Sequence, residues 1–278
     1  MPYASSDGVR LHYEETGDGP AIVFAHELAS DLRQWRGQVR ALSGHFRCIS
    51  YNARGYPPSD VPQADSAYEH LKFVEDIGAI QHQLGLERSY LVGWSMGAYA
   101  ALLFALQNPG RMKGLVLSGI GSGSPPAEIE GFRTDMAALA ALYLERGAEA
   151  SADQIAAGPN RQPLRLRHPR RWAAWKKNLS GHSAQGMARV CRNYQGRRPS
   201  LYDFKAGLAG LDVPTLLIVG EEDAPCIEAT QFLADAIPGA ELQLFPSAGH
   251  APNLEDPQTF NRVVSAFVDR IERTHSKI

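Results

Sequence analysis

The chain alternates two kinds of segment, and that alternation limits its fold more than any other feature. Short apolar runs stand at 21–25 (AIVFA), 46–51 (FRCISY), 90–94 (YLVGW), 114–118 (GLVLS), 215–219 (TLLIV) and 241–245 (ELQLF). They are rich in β-forming residues and mostly do not alternate with polar ones, which is the pattern of strands covered on both faces. Val9 to Tyr13 does alternate, as an edge strand would. Helical patterns lie between the runs. Asp31 is placed to cap a helix carrying Leu32, Trp35, Val39 and Leu42 on one side. Leu71, Val74, Ile77 and Leu84 mark a second helix, and Ser95 to Asn108 a third, stopped by Pro109. The last opens with Asp256 as N-cap and Pro257 at its first position, then spaces Phe260, Val263, Val264, Phe267 and Ile271 for one face. Strand–helix alternation predicts an α/β fold, a mostly parallel central sheet with helices on both faces.

The rhythm fails once. From about Gly121 to Ala209 no strand is convincing, and helical pieces are separated by Pro125–Pro126, Pro159, Pro163 and Pro199. This predicts a core built from 1–120 and 210–278, with 121–209 as a helical cap inserted between two strands. The insertion is also basic. Residues 154–202 hold no Asp or Glu and eleven Lys or Arg, among them Arg161, Arg165, Arg167, Arg170, Arg171, Lys176, Lys177, Arg189 and Arg198. The rest of the chain then carries 17 basic against 30 acidic residues, so the net charge of −2 hides a basic insertion on an acidic body.

Composition removes several function classes. The small net charge gives no overall attraction to nucleic acid or anionic membrane. No apolar stretch reaches the ~18 residues of a membrane span, and MPYASSDGVRLHYEE has neither the basic nor the apolar part of a secretory signal. Cys48, Cys191 and Cys226 are odd in number and far apart, which argues against a disulfide framework and for a reducing, cytoplasmic setting. Spacing of His168 and His182 offers no metal motif, so no metal is expected.

The chemistry concentrates in LVGWSMGAYAALL. Gly93-Trp94-Ser95-Met96-Gly97 stands between a strand pattern and a helix pattern, the context of a nucleophile elbow. The tight turn lifts the serine Oγ, and the helix start offers free N–H groups to a developing oxyanion. A serine nucleophile needs a base, and the base an orienting carboxylate. Asp223, with Glu222 as competitor, follows the strand at 215–219, and His250 follows the last strand. The order Ser95, Asp223, His250 is the one this elbow uses.

These motifs resemble the alpha/beta-hydrolase superfamily over nearly the whole chain. FAHELASD, NARGYPPSD, GWSMG, GEED and AGHAPNLEDP carry the likeness, and the 121–209 insertion matches the superfamily's lid. The resemblance implies a serine hydrolase that acts on a small-molecule acyl substrate without metal or organic cofactor. It places the oxyanion donors on the backbone N–H groups of Met96 and Leu28. Members that open epoxides or carbon–halogen bonds carry Asp at the elbow, so the serine disfavours those reactions. The expected reaction is hydrolysis of small or medium carboxylic esters, anionic ones included. Carbon–carbon hydrolysis, thioester or lactone cleavage, and a non-catalytic receptor stand as alternatives. A monomer or homodimer is compatible with the chain.

Expectations for the pocket rest on aromatic and sulfur side chains. Trp94, Trp172, Trp175 and Met187 are candidates to wall it, although packing between lid and body is the weightier reading of each. The lid arginines either face solvent opposite the acidic body or steer an anionic substrate. Asn52 and Pro57 depart from the family pattern D-x-R-G-x-G and read as scaffolding. Glu27 stands where the family usually has glycine. It is expected to point away and pair with a cation such as Arg54; the alternative is that it faces the pocket and alters which substrates react.

Overall fold

A computed structural model describes residues 2–275. Eight strands form one sheet: β1 (Tyr3–Ser6), β2 (Val9–Thr16), β3 (Ala21–Ala25), β4 (Arg47–Tyr51), β5 (Ser89–Trp94), β6 (Met112–Ser118), β7 (Thr215–Gly220) and β8 (Glu241–Phe245). Their order is β1-β2-β4-β3-β5-β6-β7-β8. Strands β1 and β2 pair antiparallel, as do β2 and β4; every other pairing is parallel. Of the runs read as doubly covered, β3, β5 and β7 are buried at every position, but β8 is not. β8 closes one edge and is mostly open to solvent until Phe245. The short first strand, YASS, carries too little apolar signal to have been read from sequence.

Eleven helices are described: α1 (Arg36–Leu42), α2 (His70–Gln83), α3 (Met96–Gln107), α4 (Ile129–Ala156), α5 (Gln162–Arg167), α6 (Pro169–Leu179), α7 (Ala184–Arg189), α8 (Lys205–Ala209), α9 (Ala224–Ala236), α10 (Pro252–Glu255) and α11 (Pro257–His275). Strand register shows how the sheet is covered. Successive side chains point to opposite faces, and Tyr90 stands opposite Gly114 while Gly93 stands opposite Leu117. A side chain at Gly114 would press on Phe267 and Ile271 of α11, and one at Gly93 on Ala98 of α3. These two helices therefore cover opposite faces. The caps follow the sequence: Asp31 accepts from Arg33 N–H at 2.8 Å, and Asp256 from Thr259 N–H at 3.1 Å.

Between β6 and β7 the described chain is helical, α4 to α8, with α4 broken at Gly147 (φ 79°) and a π-helical stretch at Val190–Gln195. Its basic side chains meet acids of the sheet-bearing part: Arg167 pairs with Glu222, Arg189 with Asp65 and Arg161 with Glu27. Three of the basic residues thus link this segment to the sheet-bearing part, while Arg165, Arg170, Lys177, Arg192 and Arg197 are exposed.

Candidate active site

Strand β5 runs into α3 through Ser95, whose backbone is at φ 53°, ψ −112°. A side chain rarely takes a left-handed φ unless its surroundings hold it there. Here Ser95 N–H donates to Ser118 O at 2.8 Å, and Ser95 O accepts from Tyr99 N–H at 3.0 Å. The two flanking glycines are required by contact. A Cβ on Gly97 would fall within 2.7 Å of His26 O, and one on Gly93 within 2.6 Å of Ala98 N. The helix can then start beside β3, and Met96 N–H, at its first position, is among the donors a helix leaves free.

His250 follows β8 and Asp223 follows β7, at the same sheet edge as Ser95. His250 Nδ1 lies 2.7 Å from Asp223 Oδ2. Burial pushes Asp223 up, but the charge of His250, its hydrogen bond and that of Asn160 outweigh it and hold the carboxyl below its ordinary range. The backbone around His250 is fixed on every side. Its N–H donates to Asn160 O at 2.9 Å and its carbonyl accepts from Trp94 Nε1 at 2.6 Å. The N–H groups of Gly249 and Ala251 both donate to Glu255. Asn160 also donates through Nδ2 to Asp223 Oδ1 at 3.1 Å, so one residue of the inserted segment holds both members of the pair. Glu222 is spent on Arg167 at the surface. The histidine and Ser95 border one cavity, with Nε2 the ring nitrogen left unspent by Asp223.

The loop after β3 supplies the third part. His26 Nδ1 lies 2.8 Å from Glu27 O and its Nε2 3.0 Å from Ala53 N–H. One nitrogen must donate and the other accept, which fixes the neutral Nδ1–H tautomer. Burial keeps the ring neutral by lowering its pKa. His26 is therefore a brace for the loop. The left-handed residue is Ala29 (φ 60°), held by its N–H to Tyr56 Oη at 3.2 Å. Glu27 itself needs no glycine-like backbone. Asn52 accepts from Leu32 N–H and donates to Pro57 O, which is the scaffolding expected of it.

Glu27 departs from expectation. Arg54 is buried against Asp76, with Nε to Oδ2 at 2.9 Å, and is not available to it. Glu27 instead turns into the cavity. Its Oε2 is 2.5 Å from Arg161 Nη2 and its Oε1 accepts from Trp175 Nε1 at 2.8 Å. It stands 4.0 Å from His250 Nε2. Sequence reasoning placed the partner in the nearby loop; the inserted segment reaches in from 134 residues away.

The cavity, about 150 Å³, is bordered by Ser95, Met96, Leu28, His250, Glu27 and Arg161, with Tyr99, Phe132, Met136 and Ile155 as its apolar side and Gln195 and Arg198 beyond. Trp94, Trp172, Trp175 and Met187 do not border it. Trp94 and Met187 are fully buried. Trp175 braces Glu27, and Trp172 lies outside under Arg165 and Lys176. Asn160 was missed because an isolated polar residue in a helical segment carries no motif, and Arg161 and Arg198 were read only as members of the basic run. Asp223, Cys226 and His250 also bring three possible metal donors within 4.8 Å of one another. Burial, however, holds the Cys226 thiol well above its ordinary pKa, and His250 Nδ1 is already bonded to Asp223, so the trio fits a hydrogen-bonded pair better than a metal centre.

An elbow at the end of β5 and a His–Asp pair at the ends of β8 and β7 define an alpha/beta hydrolase. The chain belongs to that family: the profile described as alpha/beta hydrolase fold matches residues 20–257. It is similar to a Bacillus subtilis (strain 168) protein provisionally named 2-succinyl-6-hydroxy-2,4-cyclohexadiene-1-carboxylate synthase, 30% identical over 96% of this chain and 97% of the other. It is similar also to 3-oxoadipate enol-lactonase 1 of Acinetobacter baylyi, 26% identical over 92% and 91%. Among solved structures, the enol-lactonase from Burkholderia xenovorans LB400 superposes with a TM-score of 0.83 at 27% identity, covering 96% of this chain and 100% of that one.

Proposed function

We propose that the protein is a serine hydrolase of small carboxylic esters, with Ser95, His250 and Asp223 as its triad and residues 121–209 as its lid. The observation that carries this is the left-handed Ser95 bordering a cavity it shares with His250, whose other nitrogen is bonded to a buried carboxylate. Ser95 Oγ attacks the acyl carbon, and His250 Nε2 takes its proton and delivers it to the leaving alcohol. Asp223 fixes the tautomer and stabilises the imidazolium. Met96 and Leu28 N–H groups receive the oxyanion; each such donor contributes about 2.7–4 kcal/mol to lowering the barrier. Water, activated by the same histidine, releases the acyl group. A cavity of about 150 Å³ suits short acyl chains.

A second reading is cleavage of a cyclic ester by the same steps. It is favoured by two relatives whose names are enol-lactonase. Rates on a panel of 4-nitrophenyl esters of rising acyl length, set beside a five-membered lactone, test both. Fastest turnover of acetyl and butyryl esters supports the first reading, and preference for the lactone the second. No turnover of either by folded protein contradicts both.

A further inference from the structure

Arg198 differs from the basic residues of the inserted segment that pair with an acid. Arg161 meets Glu27, and Arg167, Arg189 and Lys176 each meet a carboxylate. Arg198 makes no ion pair among the described residues. Its Nε donates to Gln195 Oε1 at 2.9 Å, its Nη2 to Ser122 O at 2.6 Å, and its Nη1 lies 3.5 Å from Ser124 Oγ. Every one of these acceptors is neutral. The guanidinium lies over two rings, 4.6 Å from that of Tyr99 and 5.0 Å from that of Phe132, and it borders the cavity that also meets Ser95. Burial without an acid to offset it pushes its pKa down. The charges bordering the cavity are Glu27, Arg161 and Arg198. The first two cancel, which leaves one positive charge over.

Arg198 is half-buried, and a cation partly withdrawn from water costs free energy unless something pairs with it. A fork held in place by neutral acceptors and aromatic faces is preorganised for a carboxylate, which it can bind through two parallel bonds. Its place fixes the spacing. Tyr99, under the guanidinium, lies one helical turn from Ser95, about 5.4 Å along α3. We propose that Arg198 is a substrate-carboxylate subsite, so that the preferred ester carries a free carboxylate separated from the scissile carbonyl by a short carbon chain. This rests on the esterase reading above and adds the class of substrate.

The test compares monoethyl succinate, with its carboxylate on the acyl side, O-acetylglycolate, with its carboxylate on the alcohol side, and neutral diethyl succinate. In the wild type at least one anionic ester exceeds the neutral one in kcat/KM, by about ten- to a hundredfold, the range of a hydrogen bond to a charged group. Which anionic ester it is assigns the side. Arg198→Gln collapses that ratio toward one. If the variant lowers all three rates in equal proportion, or if the wild-type ratio is near one, the subsite is refuted and the esterase reading stands. Should the variant fail to fold, inhibition of the wild type decides: succinate competes and succinamide does not, and equal effects of the two refute the subsite. Should no ester be turned over, calorimetric binding of succinate to the wild type still decides. Binding supports the subsite although the esterase reading has failed, and its absence refutes both.

Discussion

Arg161 Nη2 lies 2.5 Å from Glu27 Oε2, and this contact joins the inserted helical segment to the loop that carries Leu28. Both side chains are nearly withdrawn from solvent. Removing one partner leaves the other charge buried and unpaired, which typically costs about 3–5 kcal/mol, whereas removing both costs far less. In urea unfolding, Glu27→Gln and Arg161→Met should each lower stability by roughly that amount. The double variant should fall well short of the sum. Additive losses would show that the two do not depend on each other.

The elbow should tolerate no side chain at Gly97. A Cβ there meets the backbone of Ala25 and His26, not a movable side chain. Gly97→Ala should therefore destabilise by about 1–3 kcal/mol, the cost of overpacking, and lower esterase kcat in the fraction that stays folded. Thermal unfolding and active-site titration separate the two effects. A variant with wild-type Tm would contradict the packing.

Asn160 donates to Asp223 and its carbonyl receives His250 N–H. Asn160→Ala removes the side-chain bond and keeps the backbone one. Losing one hydrogen bond to a charged group is worth about 1.5–3 kcal/mol. We expect kcat on a 4-nitrophenyl ester to fall by roughly tenfold or more on that basis, with KM little altered. A change in KM alone would place Asn160 in substrate binding instead.

Acid should weaken the fold through His182. The ring is buried beside Tyr56, 5.2 Å centroid to centroid, and burial lowers its pKa from 6.5 to about 4. The folded state thus favours the neutral ring. Its contribution is fully present above pH 6.5 and is lost as pH falls through the unfolded value toward 4, by about 3 kcal/mol at most. His182→Phe should flatten the decline in stability between pH 6.5 and 4 while leaving stability near pH 7 similar or higher. An unchanged acid limb would mean that other groups govern it.

Much of the fold was legible because its signals are local. The runs that became β3 to β8 announce themselves as short, mostly apolar stretches, and Asp31 and Asp256 mark helix starts by capping chemistry alone. Ser95, Asp223 and His250 were legible because each follows a strand end in the order this elbow uses. Glu27 was read wrongly for a physical reason. Sequence shows which charges are near in number, such as Arg54, but a buried pair is decided by three-dimensional reach. Asp76 had already taken Arg54, and Arg161 came from the inserted segment. Packing was the weightier reading of Trp94, Trp172, Trp175 and Met187, and none of them borders the cavity, since tryptophan in a helical segment serves packing as readily as a pocket.

Covalent labelling of Ser95 tests the central claim most directly. Folded protein treated with a fluorophosphonate should gain the mass of one phosphonyl group, located by peptide mapping to Ser95, and should lose esterase activity in step with labelling. Ser95→Ala should take up no label while keeping the wild-type unfolding profile. An unlabelled Ser95 in folded protein, or wild-type ester turnover by Ser95→Ala, would contradict the account.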